Sequence, residues 1–313
     1  MEKVMRVKTM LIYNPMSGKQ TFESRIPEVM DRFERHGDDL DVYKTNHPNH
    51  ATELAKQACE EGYERLVIVG GDGTFNECVN GLMHYEKRPL IGYIPAGTCC
   101  DIGNTLGLTK NINQVLDIIF NETPVHMDVV KANDRYFCYV TGIGAFVDIS
   151  YVTDSKLKRR IGYLAYVLKA LKELLTVPRM RMSVEYDDGV LEGKYSLMLV
   201  INSKRVAGVN MIYKPRLDDG LVDVVLYRSL FPFNGLIYLI SFLLPFWSTP
   251  LVKRFKTSKL HVSTESKERW NIDGEPGGKG DQTMKVKKHA ISIIVPKKTH
   301  KKHFKNQDGE KTP

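Results

Sequence analysis

Val67-Ile68-Val69-Gly70-Gly71-Asp72-Gly73-Thr74-Phe75-Asn76-Glu77 is the stretch whose reading decides how this 313-residue chain folds. Three β-branched apolar residues run into Gly-Gly-Asp-Gly-Thr, and helical spacing resumes at Phe75. A buried strand, a turn too tight for Cβ atoms and a helix N-terminus together make an anion site. N–H groups at a helix start lack intrahelical partners and the dipole there is positive, which favours a phosphate. Glycines let the backbone come close to such a ligand. Asp72 brings an acid to a place otherwise suited to negative charge, which implies a hydroxyl, a metal ion or a lysine nearby. The same residues also suit an ordinary strand-to-helix turn in which glycine serves only tightness.

The pattern repeats outward from this stretch. Residues 7–13 read as a strand that empties into Asn14-Pro15-Met16-Ser17-Gly18-Lys19, and Phe22, Ile26, Val29, Met30 and Phe33 follow at helical spacing. Residues 41–45 make a short strand ending at Thr45, with a helix over 51–61, and residues 89–94 make a strand ending at Pro95-Ala96-Gly97-Thr98. Strands alternating with helices, each strand ending in a glycine or polar loop, predict an α/β domain with a parallel sheet over residues 1–126. Ligands bind at the carboxyl ends of such strands, where these loops converge. Over 127–295 strands dominate: 127–130, 136–141, 180–186, 195–201, 221–227, 259–263 and 290–295, with one helix over 161–175. This predicts a second, largely antiparallel β-rich domain, and a cleft between the two domains is the expected catalytic place. Residues 296–313 either pack back on the first domain or stay disordered.

Formal net charge is +8, with 42% hydrophobic and 26% charged residues, and the pI is about 9.0. That balance suits an anionic partner such as a nucleotide or the negative face of a bilayer. No basic stripe with interleaved aromatics is present, so nucleic acid is not expected. Five cysteines without metal-ligand spacing fit a reducing cytosol, and the N-terminus has no apolar run of signal-peptide length. The most apolar segment spans 230–252, with Pro232, Asn234, Pro245 and Pro250 against a membrane-spanning helix and Lys253, Arg254, Lys256 and Lys259 directly behind it. Two readings stand: an interfacial wedge with a basic flank, or a buried helix of the second domain. Residues 156–160 form a second basic cluster, read as a solvated helix start.

Four blocks have now accumulated in order: Asn14-Pro15-Met16-Ser17-Gly18; Gly70 to Glu77; Pro95-Ala96-Gly97-Thr98 with Asp101; and Asp218-Asp219-Gly220-Leu221 with Asp273-Gly274-Glu275. Together they resemble the diacylglycerol kinase catalytic-domain family, most closely its soluble bacterial lipid kinases. The resemblance implies an NAD kinase-like ATP-binding domain, a β-rich lipid-substrate domain and ATP-dependent phosphorylation of a lipid hydroxyl. It places Asn14, Pro15, Met16, Ser17, Gly18, Thr45, Gly71, Asp72, Gly73, Thr74, Phe75, Asn76, Glu77 and Thr98 at the ATP site. Glu275 matches the general base, with Asp72 beside it in catalysis near Mg²⁺ and the phosphates. Asp219 by side chain, with Arg216 and Leu221 by main-chain oxygen, matches a Mg²⁺ loop away from the phosphates. The family usually has asparagine where Cys100 stands, and a thiol lacks the amide's paired donor and acceptor.

The resemblance thus implies a cytoplasmic enzyme, peripheral on the inner face of the membrane, that uses ATP and Mg²⁺ and takes diacylglycerol to phosphatidate. Its partners would be a membrane lipid substrate and an anionic membrane surface, with a homodimer left open. Kinases of phosphatidylglycerol, a polyprenol or a sphingoid base compete, as does a catalytically weak lipid- or nucleotide-binding protein.

Overall fold

The computed structural model describes residues 6–18, 20–145, 179–206, 208–210, 215–230 and 250–305. The helix expected over 161–175, the basic cluster 156–160 and positions 231–249 of the apolar segment lie outside the described residues. In chain order the elements begin β1 (Lys8–Tyr13), α1 (Ile26–His36), β2 (Asp39–Lys44), α2 (His50–Glu60), β3 (Arg65–Gly70), α3 (Asp72–Leu82) and β4 (Leu90–Pro95). Next come α4 (Asp101–Thr105), α5 (Ile112–Asn121), β5 (Pro124–Ala132), β6 (Arg135–Phe137), β7 (Val140–Gly144), β8 (Met180–Tyr186) and β9 (Gly189–Ile201). The short pair β10 (Arg205–Val206) and β11 (Val209–Asn210) precedes β12 (Val222–Arg228), β13 (Val252–Thr257) and β14 (Lys259–Thr264). The chain closes with β15 (Arg269–Ile272), β16 (Glu275–Lys279), β17 (Gln282–Ile294) and α6 (Lys297–His303).

Two compact units emerge, Met1–Val129 with Ser203–Gly220 and Lys287–Pro313, and Val130–Asn202 with Leu221–Val286. The sequence reading divides the chain once, at 126/127; here the chain returns to the first unit twice. The later return carries the start of the tail back onto the first unit, one of the two places the sequence reading allowed it. The return over 203–220 leaves no mark in local periodicity, which reports which face of an element is apolar and not which layer it joins.

The first unit is the α/β one. β2, β1, β3 and β4 lie side by side and parallel, and the last residues of β17 continue the sheet beside β4, with Ile293 opposite Ile91. Central β3 is buried along its whole length, the mark of a strand covered on both faces, whereas edge strand β2 is only partly covered. α3 begins at Asp72, three positions before the apolar pattern resumes. The first helical turn needs no intrahelical N–H bonds, so it carries no apolar signature; Phe75 N–H is bonded to the Gly71 carbonyl at 3.1 Å.

The second unit is antiparallel in every described pairing. β9 is its spine: it pairs with β8 along its first half, and with β7 and β12 along its second. β14 continues from β8 to the first half of β17, β15 and β16 extend from β7, and β13 lies on β12. Strict alternation turns Met180, Met182 and Val184 of β8, Val222, Val224 and Leu226 of β12, and Met284 and Val286 of β17 into one core around Trp270. Trp270 is fully buried with its indole N–H donated to the Gly280 carbonyl at 2.9 Å, and truncating such a side chain costs about 3–5 kcal/mol.

α6 packs into the first unit through polar bonds. Thr299 Oγ1 donates to the Leu106 carbonyl at 2.9 Å, Leu217 N–H donates to the His303 carbonyl at 2.9 Å, and His303 Nδ1 lies 2.8 Å from the Pro215 carbonyl. A carbonyl only accepts, so Nδ1 carries the proton. Burial holds the His303 imidazole below its ordinary range, with the Pro215 carbonyl opposing and Lys302 and Lys204 reinforcing the shift. The unfolded chain therefore binds this proton more readily. Stability is full above about pH 6.5 and is lost as pH falls through the lower folded-state value. His303→Asn keeps a donor at the Nδ1 position for the Pro215 carbonyl but does not titrate. Melting curves between pH 7 and pH 5 should show a steeper fall in midpoint for the wild type than for this variant.

Candidate active site

Three loops meet at the carboxyl edge of the parallel sheet, and glycine backbone is what lets them. A Cβ built on Gly97 would lie 2.6 Å from Gly71 Cα, and one on Gly18 would lie 2.0 Å from the Ala96 carbonyl oxygen. The Gly70 carbonyl joins two of the loops, accepting from Ala96 N–H at 2.8 Å, Gly97 N–H at 3.2 Å and Tyr93 Oη at 3.2 Å. Asn14 joins the third: its N–H reaches the Val69 carbonyl, its Nδ2 donates to Thr74 Oγ1 at 3.1 Å, and its Oδ1 accepts from Met16 N–H. Thr45 N–H donates to the Tyr13 carbonyl at 3.0 Å, which sets the end of β2 beside the end of β1. Asn14, Pro15, Ser17, Gly71, Asp72 and Gly73 are half-buried around this convergence, while Met16 and Gly18 are exposed. Such a rim of short side chains and close backbone at a helix start suits a phosphate chain.

The remaining residues of the block divide by role. Phe75 is fully buried with its ring 4.8 Å from that of Tyr93, so its side chain holds α3 to the sheet. Asn76 accepts from Asn80 Nδ2 one turn on, and the Glu77 carbonyl accepts from Thr52 Oγ1, which fastens α3 to α2. Thr98 is exposed, and its carbonyl and that of Gly97 both accept from Lys110 Nζ, at 2.9 and 2.7 Å. Lys110 thus braces the Pro95–Thr98 loop, a role with no signal in the sequence beyond a lone lysine.

Asp72 caps α4. Its two carboxylate oxygens accept from Asp101 N–H and Ile102 N–H, each at 2.9 Å. Burial raises its pKa above the ordinary carboxylate value, opposed by these N–H groups and by Arg205. Asp101 in turn accepts from Gly208 N–H and faces Arg205 Nε at 3.3 Å, tying the 203–208 segment to the same edge. Cys100, between the loop and α4, sits at φ 51, ψ 55. Left-handed backbone favours asparagine over most residues, so Cys100 holds a conformation that asparagine would adopt more readily. The Cys100 thiol lies 4.0 Å from the Gly70 carbonyl, and burial raises its pKa to about 11, leaving it neutral.

Asp219 lies on a separate loop of the first unit. Gly220 N–H and His289 N–H donate to the two oxygens of Asp128, at 2.6 and 2.8 Å, and Asp128 N–H donates to the Leu217 carbonyl. Burial raises the Asp128 pKa, those N–H groups and His289 oppose it, and repulsion by Asp219 adds to it. Asp218, next to Asp219, is fully buried and paired to Arg216 at 3.6 Å, and carboxylate oxygens are the hard donors a divalent cation takes. Asp128 was not singled out from sequence; an acid within the apolar run 125–130 was the available signal. Leu221, where the second unit resumes, follows directly.

In the second unit Asp273 and Gly274 have φ of 50 and 86°, and Ile272 pairs with Glu275 across them. That is a type I′ hairpin, for which Asp-Gly is a preferred pair. Asp273 is buried, and its carboxylate accepts from Cys138, Tyr139 and Val140 N–H groups at 2.6, 3.0 and 2.9 Å. The aspartate is the anchor, and Glu275 is left exposed at the first position of β16. A carboxylate so presented can accept a proton.

Comparison with known proteins divides the chain once, between residues 132 and 140. Residues 8–132 match the model of the diacylglycerol kinase catalytic domain, and residues 140–295 match the YegS C-terminal NAD kinase beta sandwich-like domain. A Staphylococcus carnosus protein named diacylglycerol kinase is 34% identical over 97% of this chain and 100% of its own length. A Staphylococcus saprophyticus protein of the same name is 32% identical over 93% of this chain and 96% of its own length. A solved Bacillus anthracis structure named for diacylglycerol kinase superposes with a TM-score of 0.82 at 26% identity, covering 95% of this chain and 98% of the other.

Two substitutions test the loop geometry. Gly97→Ala forces the two glycine loops apart; stability should fall by about 1–3 kcal/mol, read by urea unfolding. Cys100→Asn suits the left-handed backbone, so its melting midpoint should rise above that of the wild type.

Proposed function

The chain belongs to the diacylglycerol kinase family, and on that premise we propose that it transfers the γ-phosphate of ATP to the free hydroxyl of diacylglycerol, giving phosphatidate. The observation that carries the nucleotide half is the close approach of Gly97 to Gly71, a backbone cradle with no space for a side chain at Gly97. The acceptor half rests on full-length likeness to relatives named diacylglycerol kinase.

In this reading ATP supplies the phosphoryl group and Mg²⁺ neutralises charge on it. Asn14 to Gly18, Thr45, Gly71 to Thr74 and Thr98 bind and orient the phosphates, with Asn76 and Glu77 holding α3 behind them. Asp72 fixes the start of α4 and lends negative charge toward a cation at the phosphates. Glu275 takes the hydroxyl proton as the lipid oxygen attacks the γ-phosphorus and ADP leaves with the bridging oxygen, and positioning with charge neutralisation contributes the larger share of the rate. Asp219, with the main-chain oxygens of Arg216 and Leu221, holds a second Mg²⁺ whose role is to order its loop. The Gly220 N–H donated to Asp128 at 2.6 Å fixes this loop, which supports that reading.

The substrate resides in a bilayer, so the enzyme works at one. No helix among the described residues is long and apolar enough to cross a membrane. Peripheral docking on the anionic inner face is the proposed mode, favoured by the net charge of +8 and by exposed Lys253 and Lys256 on β13.

Incubation with radiolabelled ATP and mixed membrane lipids should label phosphatidate; label in another phospholipid would replace the acceptor, and no labelled lipid would overturn the reading. Glu275→Gln should lose roughly 10²–10⁴-fold in turnover while nucleotide binding, measured by calorimetry, stays near that of the wild type. Near-normal turnover in that variant would remove Glu275 from the chemistry.

A further inference from the structure

We propose that the connection between β2 and α2 is a transition-metal site built from His47, His50 and Glu53. These three residues offer one ligand atom each, all within 4.8 Å of one another. No other group of three or more such side chains comes together among the described residues.

The spacing has a local cause. His50 opens α2 and Glu53 lies three positions on, so both point from the same face of its first turn. Asn49, in left-handed backbone at φ 65, turns the chain so that His47 folds back over His50, with ring centroids 4.5 Å apart and planes 24° from parallel. His47 Nδ1 is 3.0 Å from the Pro48 carbonyl, which makes that nitrogen the protonated one and leaves Nε2 with its lone pair. Nε2 lies 3.8 Å from Glu53 Oε2. A ring N–H held by a backbone carbonyl, with the opposite nitrogen aimed at a carboxylate, is the orientation metal-binding histidines adopt.

Two imidazoles and one carboxylate form a ligand set that zinc accepts, with a position left for solvent. Tetrahedral ligands at about 2.1 Å from the ion stand roughly 3.4 Å apart, so the cluster must contract by about an ångström. His47 and Glu53 are exposed and free to make that movement. At His50 the ion competes with the Asn46 N–H, which donates to Nδ1 at 3.1 Å, and this sets the affinity below that of a fully prebuilt centre. The ion would clamp residues 46–53 immediately after Thr45, at the same sheet edge as the phosphate loops but through none of their residues. This assignment stands independently of which lipid is phosphorylated.

Calorimetric titration of the full chain with Zn²⁺ tests it, with a Cys59→Ser/Cys99→Ser variant to exclude thiolate binding. One saturable site of micromolar affinity is expected in both proteins. His47→Ala and Glu53→Gln should each weaken it by roughly tenfold or more with unchanged circular dichroism, and His50→Gln should do the same. Absence of saturable binding, loss of the site in the cysteine variant, or wild-type affinity in His47→Ala would each overturn the proposal.

Discussion

Two glycines in backbone contact hold the candidate active site in the form it has. Gly71 and Gly97 come so close that a methyl group on Gly97 would lie 2.6 Å from Gly71 Cα. Such an approach leaves Gly97 no room for a side chain, and it brings the ends of β3 and β4 together at one point. The Gly70 carbonyl then binds the Ala96 and Gly97 N–H groups, so the contact is bonded as well as permitted. Everything nearby is arranged on that pair: Asn14 leans on Thr74, Lys110 supports the carbonyls of Gly97 and Thr98, and α4 begins where the loop ends.

Acidic residues organise what glycine makes room for. Asp72 gives both oxygens to the start of α4, Asp101 gathers Arg205 and Gly208, Asp128 binds the N–H groups of Gly220 and His289, and Asp273 collects three backbone donors. Each is a carboxylate receiving main-chain N–H groups, an interaction worth about 1.5–3 kcal/mol when the acceptor is charged. For Asp72 and Asp128, desolvation runs against this gain and leaves their pKa values raised. The chain is a lipid kinase of the diacylglycerol kinase type, and phosphoryl transfer asks for such placement of charge more than for covalent chemistry.

Much of this was legible from residues alone. The α/β character of the first unit followed from alternating strands and helices, and the antiparallel second unit followed from many short strands after residue 126. The loops at Asn14, Gly70 and Pro95 were visible as polar or glycine breaks at strand ends. The finer roles were not. Phe75 belongs to a block that resemblance places at the nucleotide, yet it is wholly buried against Tyr93. Asp72 reads as an acid awaiting a metal, and only its distance to the N–H groups of 101 and 102 identifies it as a helix cap. Lys110 and Asp128 carry no motif, because their partners lie 12 or more positions away in the chain.

The sequence by itself determined the strand and helix pattern, the placing of glycine at the turns and the family to which the chain belongs. These depend on periodicity, on turn chemistry and on blocks of adjacent residues, all of them local. The tertiary structure decided which glycine meets which, which acid caps which helix, and that residues 203–220 and 287–313 return to the first unit. Those outcomes rest on contacts between segments far apart in the chain, and a residue's own neighbours do not say what will fold against it. At Gly71 and Gly97 the two levels meet: the sequence supplied the missing side chains, and the fold decided that the gap would be closed by backbone.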